Sequence, residues 1–382
     1  MKIAMICTEK LPVPPIRGGA IQQYIDAVMP YIQEKHDVTV FSVEDPILPQ
    51  MEDKGNTHFI RVNGKQKQNY IYNIISHMKD EYDLIHVFNR PKWVNLIAEA
   101  FPHATISLSL HNEMFHPSKI SKADGERCIK KVRFITTVSR FVAEEIKKLY
   151  SEAASKLHTI YSGVDINRYQ PVWSEDVMQI RDELKAKYGL ADKKVVLFVG
   201  RLSSKKGAHI LIKAMKDVLT SYPNTALVLV GSKWYGENQE DSYVRQIKQM
   251  SEELNTDIIL TGFLPPKEVI AHYYLGDVFI CASQWREPLA RVHYEAMAAG
   301  LPIITTDRGG NAEVVRGFGN GIVISEYNQP QAFADAITYL LDQPSIALEM
   351  GRTGRILAEE KYSWERVASD LMGLFESCRM SH

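Results

Sequence analysis

The stretch VVLFVGRLSSKKGAHILIKAM (195–215) joins a short uninterrupted apolar run, a basic loop and a segment with apolar residues at helical spacing. A strand that needs no polar alternation is one covered on both faces, as in parallel sheets packed between helices. Runs of the same kind recur at 3–7, 38–43, 84–88, 106–110, 134–138, 227–230, 258–260, 278–282 and 302–304. Between them lie stretches such as Ile21, Tyr24, Ile25, Val28 and Ile32, whose spacing of three and four forms one apolar stripe on a helix. Strand and helix alternate, which predicts doubly wound α/β architecture.

The alternation runs twice. Residues 163–190 carry turn residues, a proline and a charged helical stretch, but no strand. This break separates two Rossmann-like domains, 1–170 and 190–360, expected to face each other across a central cleft. Helices are expected at 330–341, 345–360 and 364–378.

Composition narrows the function. The chain has 382 residues, 45% hydrophobic and 24% charged, enough for two ordinary cores. Lys+Arg 45 against Asp+Glu 46 gives net charge -1, so nothing draws it generally to nucleic acid or anionic membrane. An anionic ligand must be met by local charges. The opening MKIAMICTEK breaks its apolar run at Thr8 and Glu9, and no stretch approaches the roughly 18 apolar residues of a spanning helix. The expectation is a cytoplasmic protein with no transmembrane segment. Cys7, Cys128, Cys281 and Cys378 lie far apart without ligand spacing, so neither a disulfide framework nor structural zinc is expected.

Candidate residues cluster at strand ends, where open α/β sheets bind ligands. In LPVPPIRGGA (11–20), Gly18 and Gly19 precede a helix N-terminus, whose free amides favour an anion; a structural turn is the plainer reading. Arg201 and Lys206 occupy the basic loop after the 195–199 strand and suit a diphosphate, against the alternative of a solvated loop; Lys205 is the bystander. In SQWREPLARVHYEAMAAGLPIITTDRGGNAE (283–313), Pro288 suits the first position of a helix running through Ala299. Glu287 then stands outside its mouth and Glu295 some two turns in, leaning back toward it. His111 follows the 106–110 strand, with Asn112 and Glu113 on the same loop and a structural histidine as the alternative. Ser139 reads as a helix cap. The basic segment 119–133 reads as a solvated helix, since its apolar face is too meagre for membrane binding.

Taken together, RGGA, His111, YSGVD (161–165), VGRLSSKKG (199–207) and the E-x7-E at 287–295 resemble the retaining nucleotide-sugar glycosyltransferases of family 4, which have the GT-B fold. The motifs stand in family order along nearly the whole chain. RGGA, the HNEMF segment and 283–311 narrow the resemblance to the spore coat type from endospore-forming bacilli. The resemblance implies an acceptor-side first domain, a donor-binding second domain, and a C-terminal helix at about 362–382 packing back on the first. It implies that Gly18 and Gly19 contact donor phosphates, that Arg201 and Lys206 neutralise the diphosphate, and that Glu287 holds the donor sugar. Glu295 would bind ribose, residues Gly262, Phe263 and Leu264 would border the base, and His111 would lie near the transferred sugar and the acceptor.

One departure stands out: Leu289 and Ala290, followed by Arg291, replace the family's usual phenylalanine and glycine after E-P. Backbone amides there are expected still to face the donor, but the departure leaves donor choice open, with Arg291 either meeting the diphosphate or an acidic sugar or forming a salt bridge elsewhere. The expected substrate is a nucleotide sugar, a UDP-sugar first, with a glycan, protein or small-molecule acceptor, no cofactor and no metal. With no Asp-x-Asp motif, side-chain cations take the place of a divalent ion. Paired glutamates also suit a glycosidase, but a hydrolase has no need of a diphosphate site. A coat scaffold partnered with other spore coat proteins and a sugar-nucleotide epimerase are the alternatives.

Overall fold

The computed structural model describes residues 1–378 apart from 65, 67, 234–239 and 255. The chain divides into two compact units, one of Met1–Ser162 with Trp364–His382 and one of Gly163–Ser363.

In the first unit, β1 (Lys2–Ile6) leads to α1 (Ala20–Ile32), β2 (Asp37–Val43), β3 (Met51–Lys54), β4 (Thr57–Val62) and α2 (Tyr70–His77). Then follow β5 (Leu84–Phe88), α3 (Pro91–Ala100), β6 (Thr105–Leu110), α4 (Lys122–Lys131), β7 (Ile135–Thr137), α5 (Arg140–Leu149) and β8 (Leu157–Thr159). The sheet order is β3-β4-β2-β1-β5-β6-β7-β8, parallel except for the β3/β4 pair. Ile3, Ala4, Met5 and Ile6 are all buried, because helices cover both faces of the strand. Ser121 and Ser139 cap α4 and α5 by accepting from the amides of Asp124 and Val142.

The second unit runs α6 (Glu175–Lys187), β9 (Lys194–Val199), α7 (Ala208–Ser221), β10 (Thr225–Val230), α8 (Ser242–Glu253), β11 (Ile258–Leu260) and α9 (Pro266–Tyr273). It continues with β12 (Val278–Cys281), α10 (Val292–Ala298), β13 (Ile303–Thr306), β14 (Gly321–Ile324), α11 (Pro330–Asp342) and α12 (Pro344–Lys361). Its sheet is wholly parallel, in the order β11-β10-β9-β12-β13-β14. This is the Rossmann order. It reverses between β9 and β12, as the first sheet reverses between β1 and β5, and such switch points are where ligands bind.

The last helix, α13 (Trp364–Ser377), belongs to the first unit. Trp364, Val367, Ala368, Leu371 and Phe375 join the core beside Tyr24, Ile25 and Val28 of α1. Arg366 ties it to the strand end by donating to the Tyr161 carbonyl at 2.6 Å.

Each apolar run of the sequence holds a strand, but β3, β4, β8 and β14 lie outside those runs. They occupy the sheet margins, and polar residues interrupt them: β4 reads Thr57-His58-Phe59-Ile60-Arg61-Val62, with Arg61 buried against the Val13 and Pro49 carbonyls and Glu52, and β8 is a three-residue Leu157-His158-Thr159. The helix expected from Pro288 begins instead at Val292, for a reason found in the site itself.

If α13 is integral to the first unit, Leu371→Ala, which empties a fully buried position, will destabilise that unit by about 2–5 kcal/mol. Urea unfolding followed by fluorescence checks this, with the first unit's transition moving to lower denaturant.

Candidate functional site

At the second unit's switch point the loop after β9 meets the loop after β12. Gly200 donates to the Val230 carbonyl at 2.9 Å and Leu202 to that of Ser232 at 3.0 Å, which fixes the course of the basic loop. Arg201 is exposed on it. After a short turn at Ser204–Lys206, Gly207 starts α7 at φ 81. A Cβ on Gly207 would lie 2.0 Å from the Ala282 carbonyl oxygen, so only glycine lets α7 start against the end of β12.

That close approach joins two buried charges. Lys206 Nζ pairs with Glu287 Oε1, and Ser283 Oγ donates to Glu287 Oε2. Their side chains are only 19% and 10% exposed. Burial pushes the Glu287 carboxyl up, but Lys206 and Ser283 outweigh it and hold the group below the usual carboxylate range. Burial pushes Lys206 down, and the neighbouring Glu287 outweighs that and raises it. Both therefore stay charged at neutral pH. The charge of Arg201 also reaches Lys206, opposing its protonation, so two cations share this corner.

The Asp307–Asn311 loop holds Glu287 in place. Gly310 donates to the Glu287 carbonyl at 2.8 Å, and a Cβ on Gly309 (φ 65) would sit 1.9 Å from that oxygen. Buried Asn311 accepts from the Ala290 amide at 3.0 Å. The Ala290 carbonyl in turn accepts from His293 Nδ1 at 2.7 Å. Of these bonds, the one from Gly310 takes the Glu287 carbonyl, which would otherwise accept the first helical bond from the Arg291 amide. α10 accordingly begins at Val292, and Glu295 lies in its first turn rather than two turns in. The expectation that amides after E-P stay open to the donor fails at Ala290, whose amide is taken by Asn311. Leu289 and Ala290 are buried, and Arg291 is the N-cap of α10. Glu295 accepts from the buried Tyr273 hydroxyl at 2.7 Å.

Gly262 (φ 70) follows β11 and forms a bridge with Gly231, which itself passes close to the Gly200 carbonyl. Three glycines thus line up at adjoining strand ends, with Phe263 and Leu264 half-buried beside them.

In the first unit, Gly19 (φ 101) precedes α1, and a Cβ there would meet Gln22 Oε1 at 2.2 Å. Gln22 is buried and donates to Thr8 Oγ1 at 3.3 Å and the Leu11 carbonyl at 3.1 Å. Gly18 (φ 80) closes the preceding turn onto the Pro15 carbonyl. His111 follows β6, its amide donating to Asn89 Oδ1 at 2.7 Å and its ring edge-on to Tyr24 at 4.9 Å. At the β1/β5 switch point Glu9 and Arg90 form a two-pronged pair at 2.6 and 2.8 Å. Burial pushes Glu9 up, but Arg90 prevails and lowers it.

The second unit thus brings Lys206, Glu287 and the charge of Arg201 together. Reading the sequence missed Ser283, Asn311 and His293, which lie inside the quoted 283–313 stretch, and Glu9, Asn89, Arg90 and Gln22, which lie at strand ends or a helix start. Among the described residues no group of three or more His, Cys, Asp or Glu side chains could hold a metal ion, and no helix is long and apolar enough to cross a membrane.

Residues 18–168 match the family model described as Glycosyltransferase Family 4, and residues 180–356 that described as Glycosyl transferases group 1. Spore coat protein SA of Bacillus subtilis is 44% identical over 379 residues, covering 99% of this chain and 100% of that protein. The chain belongs to this glycosyltransferase family. A GDP-mannose-dependent phosphatidylinositol monomannoside mannosyltransferase of Mycolicibacterium smegmatis is 26% identical, over 96% of this chain and 97% of that one. Among solved structures, Anabaena HepE in complex with UDP-glucose superposes with TM-score 0.77 at 22% identity, over 99% of this chain and 100% of that one. A glycosyltransferase from Rickettsia africae gives TM-score 0.81 at 20% identity, over 100% and 99%. The fold is GT-B, and the family's activity is transfer from a nucleotide sugar.

The pair at the second unit's switch point has a measurable signature. Lys206→Met will strand Glu287 as a buried charge and cost about 3–5 kcal/mol, part of which Lys206→Met/Glu287→Gln restores. Because protonation removes the stranded charge, the single variant's deficit will shrink as pH falls through the Glu287 carboxyl range; thermal unfolding at several pH values checks both.

Proposed function

We propose that this protein transfers a hexose from a UDP-sugar to a glycan, protein or small-molecule acceptor, with retention at the anomeric carbon and without a metal ion. The observation that carries the reading is the buried Lys206–Glu287 pair at the second unit's switch point, with the exposed Arg201 on the same loop. As the glycosidic bond breaks, the diphosphate gains negative charge and the anomeric carbon positive charge. Fixed groups that meet those charges stabilise the transition state more than the ground state. Arg201 and Lys206 serve the diphosphate, in the role a divalent cation would otherwise fill. Glu287 serves the sugar and Glu295 the ribose, with Gly262, Phe263 and Leu264 bordering the base. In the first unit, the Gly19 amide serves the phosphates, Gly18 gives them close approach with its own amide held by the Pro15 carbonyl, and His111 serves the transferred sugar. Leu289, Ala290 and Arg291 tune which sugar is accepted. The UDP preference is supported by the UDP-glucose bound to the Anabaena relative, whereas the mycobacterial relative is GDP-mannose-dependent.

The biological setting we infer is a cytoplasmic step in making spore coat or surface glycan, since the relative of 44% identity is a spore coat protein. That name also favours a second reading, a coat scaffold with little catalysis. The intact Lys206–Glu287 pair argues for the enzyme, because a scaffold gains nothing from two buried charges that cost desolvation.

Calorimetric titration with UDP, GDP and ADP decides the donor: UDP binds, and Arg201→Ala weakens it. Arg201→Ala also lowers turnover by about 10², activity survives EDTA, and NMR of the product shows the donor's anomeric configuration. Absence of all nucleotide and sugar-nucleotide binding in folded protein would turn the reading to the scaffold.

A further inference from the structure

Strand β6 reads Thr105-Ile106-Ser107-Leu108-Ser109-Leu110 and runs directly into His111. Alternate residues of a strand share a face, so Ser107, Ser109 and His111 form a polar stripe opposite the apolar Ile106, Leu108 and Leu110. The stripe is dry: Ser107 and Ser109 are 0% and 3% exposed. Polar groups placed there need partners, and each choice of partner fixes the direction of a hydrogen bond.

Ser109 lies opposite Thr136 of β7 in register, and Thr136 Oγ1 donates to Ser109 Oγ at 2.9 Å. Ser109 Oγ is also 3.2 Å from His111 Nε2. A hydroxyl has one hydrogen and two lone pairs. Thr136 donates into Ser109, and His111 Nε2 is the one other polar atom bonded to Ser109 Oγ among the described residues, so the buried Ser109 hydrogen is satisfied only where it points at Nε2. A nitrogen that accepts is unprotonated, and in a neutral imidazole the proton then sits on Nδ1. The ring has little freedom to escape this arrangement. Tyr24 stands edge-on at 4.9 Å and 84°, Phe88 lies at 5.9 Å, and the His111 amide is held by Asn89, a buried residue at φ 53.

We infer that Ser109 and Thr136 are positioning residues that keep His111 in its Nδ1–H tautomer, with Nε2 turned inward as an acceptor. His111 therefore does not act as a base through Nε2, and what it offers a sugar nucleotide or acceptor is set by two hydroxyls that touch neither. The catalytic part of this inference rests on the proposed role of His111 beside the transferred sugar; the tautomer does not.

The test uses the full chain labelled with nitrogen-15 in histidine, the His111 signals being assigned by their loss in His111→Gln. In the wild type, Nε2 gives the signal of an unprotonated ring nitrogen and Nδ1 that of a protonated one. Ser109→Ala and Thr136→Val shift the ring toward the Nε2–H form and lower kcat for sugar transfer about tenfold, the scale of one hydrogen bond, while KM for the sugar nucleotide stays within about twofold. Thr136→Ser keeps both the wild-type signals and the rate. A protonated Nε2 in the wild type overturns the tautomer even if neither variant folds. Altered signals with unchanged kcat would overturn the positioning role and leave the tautomer standing, and full transfer by His111→Gln would locate the failure in the proposed role of His111.

Discussion

Two opposite charges buried side by side constrain the second unit more than any other feature. Lys206 and Glu287 are 81 residues apart in sequence, and each would be expensive to bury alone. Their pairing demands that the start of α7 touch the end of β12, which only a glycine at 207 permits. It demands that Glu287 not be drawn into a helix, and Gly310 meets that demand by bonding the Glu287 carbonyl, at an approach that only a glycine at 309 permits. Ser283 occupies the second carboxylate oxygen. The quoted motif is therefore a set of answers to one electrostatic problem, with the exposed Arg201 left as the cation in contact with water.

The first sheet poses the same topological question and answers it differently. Its strands also reverse order, between β1 and β5, and charged residues also follow both strands. Here Glu9 and Arg90 satisfy one another through two hydrogen bonds, and Arg90 lies over the Trp93 ring at 5.4 Å. A fork that matches a carboxylate so completely leaves little of the guanidinium for a phosphate. The polar chemistry of this unit instead gathers one strand along, on the Ser107, Ser109 and His111 stripe of β6. Farther down that stripe His86 bonds Ser107 at 2.7 Å and is pushed to about 3, chiefly by burial. It is a neutral imidazole at any working pH.

Legibility in the sequence followed burial. Strands covered on both faces are continuous apolar runs and could be read directly, whereas β4 carries a buried arginine whose partners are supplied by folding, and β8 is short and partly exposed at the sheet edge. The meeting of Arg201, Lys206 and Glu287 at one corner was foreshadowed by charge at strand ends, which has few structural reasons to exist. Asn311, His293 and Ser283 were not, since their value lies in partners brought near by folding. The helix start departs from the sequence pattern for the same reason: Pro288 is a good first residue by local preference, but Gly310 takes the Glu287 carbonyl that would accept the first helical bond.

That helix start bears on the chain's departure from its family at Leu289 and Ala290. A glycine is indispensable only where the backbone takes a positive φ or where a Cβ would collide. Among the described residues, Asn89 is the one non-glycine at positive φ, so Ala290 sits in an ordinary backbone conformation. Its amide bonds the Asn311 side chain and its carbonyl bonds His293 Nδ1, neither of which depends on the absence of a methyl group. The substitution thus leaves the backbone of the loop intact. What it alters is the volume beside Glu287, where Leu289 and Ala290 are both buried and Arg291 opens α10 with a positive charge. Size and charge can then vary at 289–291 while the Lys206–Glu287 pair and its glycine supports stay unchanged.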